Sequence, residues 1–145
     1  MKHLTNLTFV LAIIIFAALG VHCGKEKTLA GPREGTPATL VGSWSWQKSV
    51  GGYAGVTLTP QSTGYTQELV FRSYGICERY RDDTLIVAGQ YSIAREKTWA
   101  FPDTVAVIYY QNNWHEPQAT QIRGDTLELV DLCFDCFGHT YVRVR

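Results

Sequence analysis

The stretch Leu40-Val41-Gly42-Ser43-Trp44-Ser45-Trp46-Gln47-Lys48-Ser49-Val50 decides the fold. Side chains alternate sides along a strand, so Trp44 and Trp46 share one face with Leu40 and Gly42. Ser43, Ser45, Gln47 and Ser49 take the other face, and all four suit water. Two large rings on one face need a core to bury them. The rest of the chain must therefore supply apolar faces of the same period.

It supplies them as strands. Over 65–72, Tyr65, Gln67, Leu69 and Phe71 share one face, and Thr66, Glu68, Val70 and Arg72 share the other. The same alternation, bounded by turn residues, predicts further strands at 76–81, 84–95, 104–111, 118–123, 126–133 and 139–145, after a first strand at 41–49. Asp82-Asp83 reads as a tight hairpin, and Pro102-Asp103, Asn112-Asn113 and Gly124-Asp125 as turns. Residues 50–64 read as a long Gly-rich connection, and no stretch has a helical period. Leu85, Val87, Gly89, Tyr91 and Ile93 share a face, where a glycine signals a bulge or close packing beneath a ring. The expected fold is all-β, an eight-stranded antiparallel up-and-down β-barrel. A sandwich is the alternative; the barrel is preferred because its first and last strands remove each other's edges.

Upstream of the first strand the composition changes. Residues 1–22 carry a basic start at Lys2 and an apolar run over 7–21, the layout of an export signal. A transmembrane anchor is the rival reading, but an apolar run of about 15 residues is short for a span of about 20. Cys23 follows at once and resembles the acylated cysteine of bacterial lipoproteins, with Gly20, Val21 and His22 before it. An ordinary signal peptide that contains a cysteine is the alternative. Residues 23–39 have three Gly, two Pro and mixed charge, and read as a tether with a mean span of roughly 20 to 25 Å.

The whole chain has 145 residues with 13 basic and 13 acidic side chains. Loss of the signal removes Lys2 and leaves 12 basic against 13 acidic, with no basic stripe. Nucleic acid is excluded as a partner on that ground, because phosphate binding needs clustered Lys and Arg. Residues 40–145 suffice for one domain with one core. All four Trp and all eight Tyr fall within it.

Several features bear on chemistry. Cys133-Phe134-Asp135-Cys136 leaves, with Cys77, an odd number of cysteines once Cys23 is set aside. A Cys133–Cys136 disulfide across the last turn is preferred, and pairing of Cys77 with either remains open. Zinc on Cys133, Cys136 and His139 lacks a fourth ligand, and redox chemistry would want the cysteines at a helix start. No metal or other cofactor is expected. His115 with Glu116 or Asp103 would be a general base, yet no nucleophile motif accompanies it. Trp44, Trp46, Tyr65, Phe71, Tyr91 and Tyr109 form either a filled core or the lining of a cavity. Gln67, Lys48 and Arg143, at apparently inward positions, tilt that choice toward a partly open mouth.

Gly42-Ser43-Trp44 resembles the Gly-x-Trp opening of lipocalins, and Tyr141-Val142-Arg143 would set an Arg beside that Trp, as lipocalins do. The segments 59–65, 89–93, 125–127 and 139–143 are similar to the lipocalin-like domains of bacterial lipoproteins. The resemblance spans residues 40–145. It implies a barrel with a cavity for a small hydrophobic molecule, and a structural Arg143–Trp44 pair.

The combined expectation is a lipoprotein of the bacterial cell envelope, attached to the membrane through Cys23. It would bind a small hydrophobic or amphipathic ligand without catalysis. The alternative is a structural or protein-interaction module acting through rim loops at 51–64 and 112–118.

Overall fold

A computed structural model describes residues 40–145. The expected export signal at 1–22, the lipid site Cys23 and the tether at 23–39 lie outside the described residues. Nine strands follow in order: β1 Gly42–Gly51, β2 Val56–Leu58, β3 Gln67–Phe71, β4 Ile76–Arg81, β5 Thr84–Glu96, β6 Val105–Tyr110, β7 Gln118–Arg123, β8 Thr126–Asp131 and β9 Phe137–Arg143. Strand β1 and strands β3 to β9 pair antiparallel with their neighbours in sequence, and β9 pairs back onto β1. The result is a closed eight-stranded up-and-down β-barrel, which removes the sandwich alternative. Strand β2 is extra: it pairs with Ser49–Gly51 of β1, beyond the stretch that β3 occupies.

Local chemistry explains the turns. Asp82 and Asp83 both adopt positive φ (47° and 61°), the left-handed pair whose twist suits a two-residue hairpin. The 50–64 connection, read as irregular, holds β2 and one helical turn, α1 Pro60–Thr63. Thr59 caps α1 through a reciprocal bond with Ser62, Pro60 starts it, and Gly64 ends it at φ 74°. Thr-Pro-x-Ser followed by Gly was the available signal.

Two corrections concern register. Residues 46 and 48 of β1 stand opposite consecutive residues of β9, so Gln47 is an extra residue in a bulge. After it the alternation reverses: Ser49, expected in water, turns inward, and Lys48, expected inward, is exposed. Tyr109, expected in the cavity lining, stands on the outer face at 37% exposure, because its neighbours Ile108 and Tyr110 take the two inward positions. On the last strand Tyr141 is buried, while Val142 and Val144 are exposed, which settles its inward set as Tyr141 and Arg143.

Apolar side chains gather in two places. The main cluster fills the barrel around Trp44, Trp46, Phe71, Tyr91 and Leu127. A smaller one lies outside, where Ala100, Phe101 and Leu132 cover Val105, Val107 and Ala119. The β5–β6 connection is thereby folded down onto β6 and β7.

Candidate functional site

The barrel interior is where the expected lining residues meet. Trp44, Trp46, Phe71 and Tyr91 are buried there, with Phe71 and Tyr91 edge to face at 5.3 Å. Tyr65 packs at the mouth, stacked on Trp46 at 5.8 Å and covered by the Arg81 guanidinium at 4.3 Å. The Leu40 end is sealed. Trp44 donates its indole N–H to the Leu40 carbonyl at 2.8 Å, and Arg143 lies 4.0 Å above the Trp44 ring while donating to the Val41 carbonyl. Gly42 permits this approach, since a Cβ there would stand 2.7 Å from the guanidinium.

At the mouth, Trp114 packs over Gly89, 4.4 Å from the Tyr110 ring and with the Arg79 guanidinium at 5.6 Å. A Cβ on residue 89 would lie 2.8 Å from Trp114 Cδ1. The glycine expected beneath a ring is found beneath this one. Its own side chains therefore occupy both the centre and the mouth of the barrel.

A polar chain crosses this apolar interior. The bulge in β1 turns Ser49 toward His139 of β9. Trp46 donates its indole N–H to Ser49 Oγ at 2.8 Å, and Ser49 Oγ lies 2.6 Å from His139 Nδ1. The Asp131 carboxylate can only accept, so His139 Nε2, 3.3 Å from Oδ2, carries a proton toward it, and in the neutral imidazole Nδ1 then accepts from Ser49. Gln118 donates to Asp131 Oδ1 at 2.7 Å, and Tyr110 donates to Gln118 at 2.5 Å. Burial works to raise the Asp131 carboxyl, but the bonds from His139 and Gln118 outweigh it and hold the group below the usual carboxylate range. Burial pushes the Tyr110 phenol well above its ordinary value.

Ser49, His139 and Asp131 stand in the order of a nucleophile, a base and its orienting carboxylate. The order is not enough for chemistry. Ser49 is 4% exposed, and its oxygen already accepts from the Trp46 indole N–H, so a substrate would have to displace Trp46 to reach it. The arrangement ties β1, β7, β8 and β9 together across the interior. Sequence reasoning missed Ser49, Gln118 and Asp131, and saw His139 only as a zinc ligand. The partners Ser49 and His139 are 90 residues apart, and no local pattern announces the bulge.

The remaining candidates are peripheral. Cys133 and Cys136 form a disulfide with Cα atoms 5.6 Å apart. Cys77 is a free, buried thiol whose pKa burial pushes up to about 12. Asp131 brings a carboxylate oxygen within 4.8 Å of both disulfide sulfurs. Sulfurs bonded to each other are not thiolate ligands, so this trio holds no metal while the bridge stands. His115 bonds the Glu116 backbone carbonyl at 3.0 Å through Nδ1, not a carboxylate.

Two grooves open at the surface. A groove of about 230 Å³ sits at the Leu40 end, lined by Arg95, Thr120 and Ile122 among others. A larger one, of about 450 Å³, runs between Trp99, Leu132, Cys133, Phe134 and Asp135. Compared with family models, curated proteins and solved structures, the chain matches none.

Proposed function

We propose that this chain is a lipid-anchored protein of the bacterial cell envelope, related to the lipocalin-like domains it resembles, and that its barrel is a non-catalytic interaction module working from its outer surface and rim. One observation carries the choice over internal carriage of a ligand: the rings expected to line a cavity are packed against one another, and Trp114 stands in the mouth. A barrel of this size either holds one ligand or fills itself with side chains. Admitting a cargo here means displacing Trp114 and Tyr65. The apolar run before Cys23 supports the envelope address, and the closed Ser49–His139–Asp131 chain supports a role without catalysis.

Two mass measurements test this reading. On protein extracted from membranes, the N-terminal peptide is expected to begin at an acylated Cys23; a chain that keeps Met1, or an unmodified Cys23, removes the anchor. In native mass spectrometry of detergent-free residues 36–145 from the envelope, a bare protein mass is expected. A reproducible adduct that leaves on denaturation returns the carrier of a small hydrophobic or amphipathic molecule to first place.

A further inference from the structure

Three aromatic rings that the core does not use stand in water on neighbouring segments. Tyr53 and Phe134 are each 96% exposed and Trp99 is 71% exposed. Each is borne by a segment that the fold holds still. Tyr53 lies in a turn closed by the Gly55 N–H to Gly52 carbonyl bond, and Gly52 donates to the Cys136 carbonyl at 3.3 Å, which ties that turn to the disulfide loop. Phe134 sits inside the Cys133–Cys136 bridge, and Leu132 just before it donates to the Pro117 carbonyl. Trp99 rides on the connection that Ala100 and Phe101 pin to β6 and β7. Between Trp99 and Phe134 runs the groove of about 450 Å³.

Presenting large rings to water on a braced scaffold gains nothing for folding, since burial is what makes a ring stabilising. The exposed valines Val50 and Val56 flank the Tyr53 turn, and exposed Lys48 and Lys97 stand two residues from Val50 and Trp99. Amphipathic Trp and Tyr with flanking Lys is the composition favoured at the headgroup layer of a bilayer, and Asp135 is the one acid lining the groove. The chain outside the structure also favours lipid. An apolar run ends two residues before Cys23, and the 16 residues from 24 to 39 can reach no further than roughly 55 Å even when fully extended. A barrel anchored at Cys23 therefore stays beside its membrane.

We propose that the patch of Tyr53, Trp99 and Phe134 docks on the interfacial layer of the bilayer that anchors the chain, and so orients the barrel on the membrane. The inference rests on the lipid-anchored reading and names the partner of the outer surface.

Tryptophan emission tests it on the mature chain, isolated from membranes and reconstituted in vesicles of phosphatidylethanolamine and phosphatidylglycerol, with and without bromine on the upper acyl chain. Trp44 and Trp46 are buried in the barrel, Trp114 is packed in its mouth against Tyr110 and Trp99 is the exposed indole, so the difference between the native chain and Trp99→Phe is the reporter. Bromolipid is expected to remove about half of the Trp99 emission, and Trp99→Phe to abolish that quenching. Equal emission in the two vesicles, with Cys23 acylated, overturns the docking and leaves the anchor standing. Should Trp99 be shielded from acrylamide in native envelope membranes but not in pure lipid, a protein covers the patch and the proposal falls. A second measurement does not need the anchor. The barrel closes within residues 40–145, so that segment alone is expected to float with the same vesicles. Phe134→Ser, which touches no core residue, is expected to weaken flotation about tenfold. No flotation above the level of Phe134→Ser overturns the docking whatever the state of Cys23.

Discussion

At the scale of single residues, Gly89 and Asp131 make opposite demands on the interior. Gly89 is needed for what it lacks. A methyl group there meets the Trp114 indole inside van der Waals contact, and that ring is held by Tyr110 and Arg79. Gly89→Ala is therefore expected to cost about 1 to 3 kcal/mol in urea unfolding and to alter the near-UV dichroism of Trp114; an unchanged midpoint would show that the indole has room to move. Asp131 is needed for its charge. Its carboxyl is held below the usual range, so its contribution is present above about pH 4, near the unfolded value, and is lost as pH falls through the lower folded value. Asp131→Asn is expected to cost about 1 to 3 kcal/mol at neutral pH, with the gap to the native chain narrowing below pH 4. A gap constant with pH would assign the loss to packing alone. Cys77, its thiol pushed up to about 12 by burial, is expected to resist iodoacetamide at pH 8 in the folded chain and to react in denaturant. Gly89 was legible as a glycine on an apolar face; Asp131 was not, because its partners come from β7 and β9.

At the scale of elements, alternation was enough wherever a strand was regular. β4 and β7 begin and end where the pattern does, and the Asp82-Asp83 hairpin follows from its two residue types. The pattern failed where one residue was inserted. Past the Gln47 bulge every inward and outward assignment of β1 reverses, which hid Ser49 and misplaced Lys48. Tyr109 was misplaced for the converse reason: β6 reads Val-Ala-Val-Ile-Tyr-Tyr, apolar throughout, because the β5–β6 connection covers its outer face. A strand apolar on both faces carries no period from which to choose an inward set. The bulge makes a direct prediction. Ser49→Ala leaves Trp46 without its acceptor and His139 without its donor, and is expected to cost about 1 to 3 kcal/mol. Lys48→Ala is expected to fall within about 0.5 kcal/mol of the native chain. Urea unfolding of the pair decides the register, since an unbroken alternation would reverse the two results.

At the scale of the whole molecule, closure is the property from which the rest follows. β1 holds β3 along its first residues and β9 along nearly all of its length, so the seam of the barrel joins the two ends of the described chain. Val144 donates to the Ser43 carbonyl at 2.9 Å, which brings residue 145 close to where the barrel begins. A closed sheet has no preferred starting strand, so the order in which the strands follow along the chain is open to change. The β1–β2 turn offers a better place for a break: Gly55 has open space around it, and the turn is closed by a single backbone bond from its N–H to Gly52. A permuted chain that joins 145 to 40 through a short Gly-Ser linker and begins at residue 55 keeps every barrel pairing and gives up that one bond. It is expected to fold to the same far- and near-UV dichroism, with stability within about 2 kcal/mol of residues 40–145. β1 would then stand last in the chain, not first. If the permuted chain fails to fold, β1 must be in place before β3 to β9 can curl, and closure depends on the order in which the strands pair.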